Sequence, residues 1–234
     1  MNQNNNSNEV SHLRGIRSFV LRQGHLSNAQ ERAIQNLFPI WGIEYKPQII
    51  DLNQIFGRES PKILEIGFGM GQATAQIAQS LPESDFLAID VHSPGVGNLL
   101  KLIEENQLTN IRVMRHDAVE VIDNMIADNS LSGIHIFFPD PWHKKRHHKR
   151  RLIQTPFIEK ILPKLQADGY IHLATDWEDY AIQMLEVLNN YPQLINTASD
   201  YALRPAYRPE TKFEARGKRL GHGVWDLIFK KRES

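Results

Sequence analysis

From Pro61 onward, short apolar runs alternate with stretches in which apolar residues recur every three or four positions. The first pattern belongs to strands, and the second to helices that bury one face. The runs Lys62 to Ile66, Phe86 to Ile89, Ile111 to Met114, Gly133 to Phe138 and Tyr170 to Ala174 predict five strands. Between them, Val96, Leu99, Leu100 and Ile103 share one helical face, as do Phe157, Ile158, Ile161, Leu162 and Leu165. Tyr180, Ala181, Met184, Leu185 and Leu188 do the same farther on. Strands alternating with helices build βαβ units, and the nearly continuous apolar stretch Ile134 to Phe138 suits a strand covered on both faces, as parallel sheets require. The expected fold class is therefore α/β, an open, doubly wound, mostly parallel sheet. Two further runs, Gln193 to Ser199 and Val224 to Phe229, have no helix between them, which predicts an antiparallel pair at one edge. No internal repeat is visible.

The chain before Pro61 is different in character. Residues 1–8 hold five asparagines and no apolar residue after Met1. That is too little apolar surface to offset the entropy of ordering, so residues 1–11 are expected to be a disordered tail. Residues 12–46 mix basic, aromatic and polar types, including Arg14, Arg17 and Arg22, with one expected helix from Ser27 to Leu37 that Pro39 should stop. They read as an N-terminal extension, packed on the main domain or flexing beside it. Residues 47–234 are the expected single domain, because a chain of 234 residues can bury one full core without disulfides or metals.

Composition removes several classes of function. No apolar run approaches the ~18 residues that span a bilayer, which argues against a membrane role. The chain has no cysteine, which rules out disulfide frameworks and cysteine-based zinc sites. Nothing at the N-terminus pairs a basic start with an apolar core in the manner of a secretion signal, so the expected location is the cytoplasm. A monomer and a homodimer fit equally well. The 27 acidic and 27 basic residues cancel, so attraction to a polyanion has to come from local clustering. Lys144, Lys145, Arg146, His147, His148, Lys149, Arg150 and Arg151 form such a cluster, with no acid among them. Its histidines do not make a metal site, since no cysteine is at hand and the flanking cations repel a dication.

The most informative stretch is Leu64-Glu65-Ile66-Gly67-Phe68-Gly69-Met70-Gly71, which joins the first strand to the first helix of the domain. Glycines there let the backbone approach a ligand that a Cβ would exclude. The nicotinamide fingerprint spaces its glycines G-x-G-x-x-G and rests a pyrophosphate on the helix N-terminus. Here Gly67, Gly69 and Gly71 fall on every second position behind an acid, Glu65. A carboxylate beside the loop repels a pyrophosphate and suits a ligand carrying an ammonium and a sulfonium, such as S-adenosylmethionine. Asp90 ends the second strand, where its side chain can accept both ribose hydroxyls. Asp117 follows the third strand, placed to accept from an adenine amino group. Three acids at three successive strand ends carry more weight than any one of them.

Phe137-Phe138-Pro139-Asp140-Pro141-Trp142 ends the fourth strand, at the switch point where such sheets bind ligands, and its prolines stiffen a turn that aims Asp140 into the crevice. At this point the chain resembles the bacterial tRNA (guanine-N7)-methyltransferase family. The matching stretches are LEIGFGMG, the run from Val91 to Gly97, FPDPWHKKRHHKRR, Ala174 to Trp177, and TKFEARGKRLGHGVWDL from Thr211 to Leu227. The resemblance runs from about Arg17 to the C-terminus. It implies a Rossmann-like fold, S-adenosylmethionine as cofactor and tRNA as substrate, methylated on the variable loop. It further implies that Glu65, Asp90, Asp117 and Asp140 contact the cofactor or reaction centre. Lys144, Asp176, Thr211, Lys212, Phe213 and Glu214 are then expected to contact the RNA. The acid at the ribose position, which can be glutamate in the family, is Asp90 here, and either carboxylate suits the task.

The residue types agree with that chemistry. Guanine N7 already carries a lone pair, so attack on a sulfonium methyl needs in-line placement and no base. Positive charge then enters the purine, and an ionised Asp140 accepting from N1–H and the exocyclic amine would stabilise the transition state more than the ground state. Asp176 could share those donors, or cap the helix that follows. A cationic run beside a reaction centre reads as a phosphate clamp, here Lys145 to Arg151. Arg204, Arg208, Lys212, Arg216, Lys218 and Arg219, interleaved with Tyr201, Tyr207 and Phe213, form a second basic segment suited to charge and stacking together. The competing readings are an exocyclic-amine methyltransferase, a nicotinamide-dependent oxidoreductase and a non-catalytic RNA-binding protein.

Overall fold

The structure, a computed structural model, describes residues 25–211, 214 and 223–233. The expected tail, Arg14, Arg17 and Arg22, Lys212, Phe213, and the cations Arg216, Lys218 and Arg219 lie outside the described residues. Strands β1 (Lys62–Ile66), β2 (Asp85–Ile89), β3 (Ile111–Met114), β4 (Leu131–Phe137), β5 (Leu165–Thr175), β6 (Leu194–Asn196) and β7 (Trp225–Lys231) form one sheet in the order β3-β2-β1-β4-β5-β7-β6. The first five run parallel, and β7 lies antiparallel between β5 and β6. Strand order reverses between β1 and β4, which opens a crevice at their C-terminal ends.

Alternate strand residues face opposite sides of the sheet. On one side Leu64, Leu87, Ile134, Ile171 and Leu227 meet helices α5 (Ala118–Met125), α6 (Thr155–Ile161) and α7 (Glu178–Asn189), forming an apolar layer over the middle of the sheet. On the other, Ile63, Phe86, Ala88 and Val113 meet α1 (Asn28–Trp41), α3 (Gln72–Ser80) and α4 (Ser93–Glu105). That second layer changes character toward β4, β5 and β7, where the same face presents His135, His172 and Asp226.

The short helix α2 (Leu52–Phe56) precedes β1. Helix α1 begins where the sequence predicts, with Ser27 and Gln30 closing a capping box. Its end differs from expectation, because it runs through Pro39 to Trp41. A proline so near the C-terminus forfeits one intrahelical bond, and tertiary packing outweighs that loss. Phe38 and Trp41 lie on the second core layer, and the Arg112 guanidinium sits 5.1 Å from the Trp41 ring. Beyond the helix, Ile43 N–H donates to the Val113 carbonyl at 2.9 Å and ties the chain to the edge of β3. The other end of α1 is fixed by the Gln30 amide donating to the Pro94 carbonyl of α4 at 3.0 Å.

Candidate active site

The crevice is lined by Gly67, Asp90, Asp117, Phe138 and Asp140, together with apolar side chains such as Val119 and Leu152. Gly67 and Gly69 adopt left-handed φ of 77° and 58°, and among the described residues nothing lies within 4 Å of where a Cβ would project. They leave open space at the loop surface, which a side chain would fill. Gly71 has a different reason to be glycine, since a Cβ there would come within 2.7 Å of Leu99. Helix α4 braces the loop from behind so closely that a Cβ on Gly95 would meet the Gly69 carbonyl oxygen at 1.9 Å.

The three acids are held in three ways. Asp90 Oδ2 accepts from Gly69 N–H at 2.8 Å and Oδ1 from His92 N–H at 2.9 Å, so the second strand's acid also fastens the glycine loop. Burial pushes its carboxyl above the ordinary range, and those amide bonds work against the rise. Asp117 caps α5 by accepting from Val119 N–H at 2.9 Å. Glu65 stands behind the wall rather than in it: it is buried, Oε1 accepts from the Thr74 hydroxyl at 2.9 Å, and Oε2 has no partner among the described residues. Burial raises its carboxyl to about 7, against the Thr74 bond and with help from the negative Asp90 nearby.

Asp140 is exposed at the rim of the crevice. Its turn is bracketed by two non-glycine residues in the left-handed region, Phe138 with φ 53° and Trp142 with φ 47°. Phe138 N–H donates to the Ala174 carbonyl at 2.8 Å, so the turns that leave β4 and β5 start side by side. Asp176 is exposed on the second of these turns. It does not cap α7, whose N-cap position is Trp177 with no side-chain cap bond. The rings of His143 and Trp177 join the two turns at 4.2 Å.

The basic run winds into a 3₁₀ segment, Lys145–Arg150. Lys144, Lys145, Arg146 and Lys149 are exposed, and Arg150 lies over the Trp142 ring at 4.2 Å. Partial desolvation and the surrounding cations Arg146, Arg150, Lys144 and Lys149 lower the affinity of His147 for a proton. His148 approaches α7 as well, 3.9 Å from Asp179. Arg151 departs from the rest because it is buried, with its guanidinium spread over the Pro141 carbonyl, Gln183 and Asp179.

The C-terminal motif is buried more deeply than its sequence suggests. Arg208 is 2% exposed and pairs bidentately with Glu214 at 2.7 and 2.9 Å and with Asp226 at 2.7 Å twice. Thr211 N–H also donates to Glu214, at 2.9 Å. Burial alone would raise the Asp226 carboxyl, but bonds from His172 and Arg208 outweigh it and hold the group below its usual range. Burial lowers the His172 and His135 imidazoles, which are therefore neutral. His172 Nε2–H donates to Asp226 at 2.7 Å, leaving Nδ1 to accept from the Tyr207 hydroxyl at 2.7 Å, and His135 pairs with the Tyr170 hydroxyl at 2.8 Å. The Arg208 guanidinium also lies 5.6 Å from the Phe138 ring, beneath the Asp140 turn.

Sequence reasoning overlooked two contributors. His116 lines the crevice, bonded to Glu120 at 2.6 Å and stacked on Tyr45 at 3.8 Å. The pairing spans two parts of the chain that no local pattern connects, although His116 adjoins Asp117. Leu152, next to the basic run, supplies apolar wall. Among the described residues, no group of three or more His, Asp or Glu gathers as a metal site, and no helix is long and apolar enough to cross a membrane.

A reversed strand order, a glycine loop after β1 and an antiparallel β7 place the chain in the class of Rossmann-like methyltransferases. The solved 16S rRNA methyltransferase KamB shares this fold, with a TM-score of 0.58 at 14% identity over 80% of this chain and 95% of that one. Residues 59–227 match the family model described as "Putative methyltransferase". The chain is 71% identical over 230 residues to the tRNA (guanine-N(7)-)-methyltransferase of Neisseria meningitidis serogroup A, covering 98% of this chain and 97% of the relative. It is 68% identical over 219 residues to the protein of that name from Chromobacterium violaceum, covering 94% and 97%. The chain belongs to the tRNA (guanine-N7)-methyltransferase family.

Proposed function

We propose that the chain transfers a methyl group from S-adenosylmethionine to N7 of a guanine in tRNA, in the variable loop. The observation that carries this reading is the placement of Asp140. Its exposed carboxylate shares one crevice with Gly67, Asp90 and Asp117, and the exposed cations follow it directly in the chain. The cofactor side fits a cationic nucleoside. Glu65 Oε2 is a buried acceptor without a donor among the described residues, and an ammonium nearby would favour its ionised form. The open space before Gly67 and Gly69 admits a ligand against the backbone.

When bound, S-adenosylmethionine supplies an electrophilic methyl on a sulfonium. The guanine N7 lone pair would take that methyl, with sulfur leaving as a neutral thioether and the positive charge passing to the purine. No proton leaves N7, so the protein's task is placement. Asp140 accepts from the Watson–Crick edge, where donors strengthen as that charge develops. Asp176, on the adjoining turn, lies beside the same edge. Lys144, Lys145, Arg146, Lys149 and Arg150 hold the RNA backbone, and the Thr211 to Glu214 stretch completes the substrate side. Incubation with labelled S-adenosylmethionine and tRNA, followed by digestion to nucleosides, should place the label in 7-methylguanosine. A transcript with 7-deazaguanine at the target should accept none. Label on an exocyclic amine would replace this reading with the exocyclic-amine alternative.

A further inference from the structure

Eight consecutive residues from Lys144 to Arg151 are basic, and seven of them reach solvent at least in part. Arg151 is the exception at 2% exposed. Its Nε–H donates to the Pro141 carbonyl at 2.8 Å, one peptide beyond Asp140. One terminal nitrogen donates to Gln183 at 2.6 Å and the other to Asp179 at 2.6 Å, with His148 at 3.1 Å. The guanidinium plane lies over the Tyr180 ring at 4.7 Å. Asp179 and Gln183 both belong to α7, whose first turn follows Asp176 and Trp177 directly.

We propose that Arg151 is a positioning residue that fixes the Asp140 turn against α7 and so sets the distance between Asp140 and Asp176. The proposal rests on the reading that Asp140 meets the target guanine. A single planar fork satisfies a backbone carbonyl on the turn and two side chains on the helix at once, and no freely rotating ammonium can do the same. The strand pairing fixes where the two turns begin but not where their tips go. The turn tip is exposed between two strained residues, Phe138 and Trp142, so its place depends on what holds it, and Arg151 holds it at the Pro141 carbonyl. The guanidinium has its donors committed inside the protein, which leaves phosphate contact to the exposed neighbours Lys145, Arg146, Lys149 and Arg150.

Arg151→Lys, Asp179→Asn and Asp140→Asn are compared with the wild type in single-turnover methylation at saturating cofactor and tRNA, alongside tRNA affinity across a salt series. Arg151→Lys should slow the chemical step by roughly 10- to 100-fold, the scale of a 1 Å misplacement at a reacting centre. Its dependence of log K on log salt should match the wild type, whereas Arg150→Ala should lower that slope by about 0.7 to 0.9. Asp179→Asn should slow the same step, and the double variant should be no slower than the slower single, because both act through one contact. Melting curves and cofactor titration show whether each variant is folded; if Arg151→Lys is not, Asp179→Asn alone decides. A wild-type chemical step in the folded variants overturns the proposal, as does an Arg151→Lys slope lowered like that of Arg150→Ala. Loss of rate in Asp140→Asn without loss in the other two sinks the Arg151 proposal alone. Full turnover by Asp140→Asn sinks it together with the reading of the site.

Discussion

The two halves of the crevice are built on different plans. The half proposed to take the cofactor, at the ends of β1, β2 and β3, rests on apolar packing from both faces of the sheet. Two of its acids, Asp90 and Asp117, hold backbone amides of the loops they sit among, and α4 locks the glycine loop in place. The half proposed to take the substrate, at the ends of β4 and β5, has an apolar layer on one face only. On the other, β4, β5 and β7 carry a polar chain from His135 through His172 and Asp226 to Arg208. A small ligand with a fixed shape calls for a finished backbone cradle. A macromolecule approaching from solvent calls for exposed charges, and on this half two arginines, Arg151 and Arg208, are buried close to the Asp140 turn.

The largest test of that contrast removes one of the buried arginines. Arg208→Met leaves Glu214 and Asp226 facing each other in the interior without their cation, and loss of one partner from such a pair costs about 3–5 kcal/mol. Thermal melting should register a fall of roughly 10 °C in a chain of this size, while Arg151→Lys should melt close to the wild type. A small shift for Arg208→Met would mean that the polar face is held by its aromatic packing instead. Next in size, Asp140→Asn should lower turnover by roughly 10²-fold, the loss seen when one preorganised electrostatic contact is removed. Cofactor affinity should survive it, because the two halves are separately built. A parallel loss of cofactor binding would show that they are not.

The smallest effect lies behind the cofactor loop. Burial lifts the Glu65 carboxyl from 4.5 to about 7, so between those values the folded chain keeps a proton that the unfolded chain has released. Stability should therefore fall as pH rises through that window and level off above it, with a slope of at most about 1.4 kcal/mol per pH unit from this group. Glu65→Gln should flatten that part of the melting-temperature profile. S-adenosylmethionine affinity, followed by calorimetry, should rise with pH up to about 7 in the wild type and stay level in the variant. A variant that retains the wild-type pH dependence in both measurements would take Glu65 out of the cofactor half.

What the sequence disclosed follows the same division. Strands β1 and β3 begin and end where the apolar runs do, because nothing but local pattern decides them. Strand β5 is longer than its apolar run, which begins at Tyr170, whereas the strand starts at Leu165. Ala167-Asp168-Gly169 looks like a turn, and Asp168 does take a left-handed φ of 59°, but β4 accommodates it with a register shift between Leu131 and Gly133. The acids of the cofactor half were legible because a strand end and its loop are neighbours in sequence. Arg151 was not, for its partners lie on a helix some thirty residues farther along, and a run of cations gives no hint which one turns inward. Glu214 was readable as a motif residue, yet its burial under Arg208 depends on β7 supplying Asp226.

Phe138 and Trp142 hold the Asp140 turn in a backbone conformation that side chains with a Cβ adopt at a cost of order 1–3 kcal/mol each. Under selection for heat tolerance alone, these are the two places where the chain has the most to gain from becoming ordinary. Glycine or asparagine at either position relaxes the backbone, but it also removes a ring, Phe138 from above Arg208 or Trp142 from beneath Arg150. Descendants of this sequence that drift toward greater robustness therefore have a short route to a firmer fold with a looser turn, and only demand for the product keeps them off it.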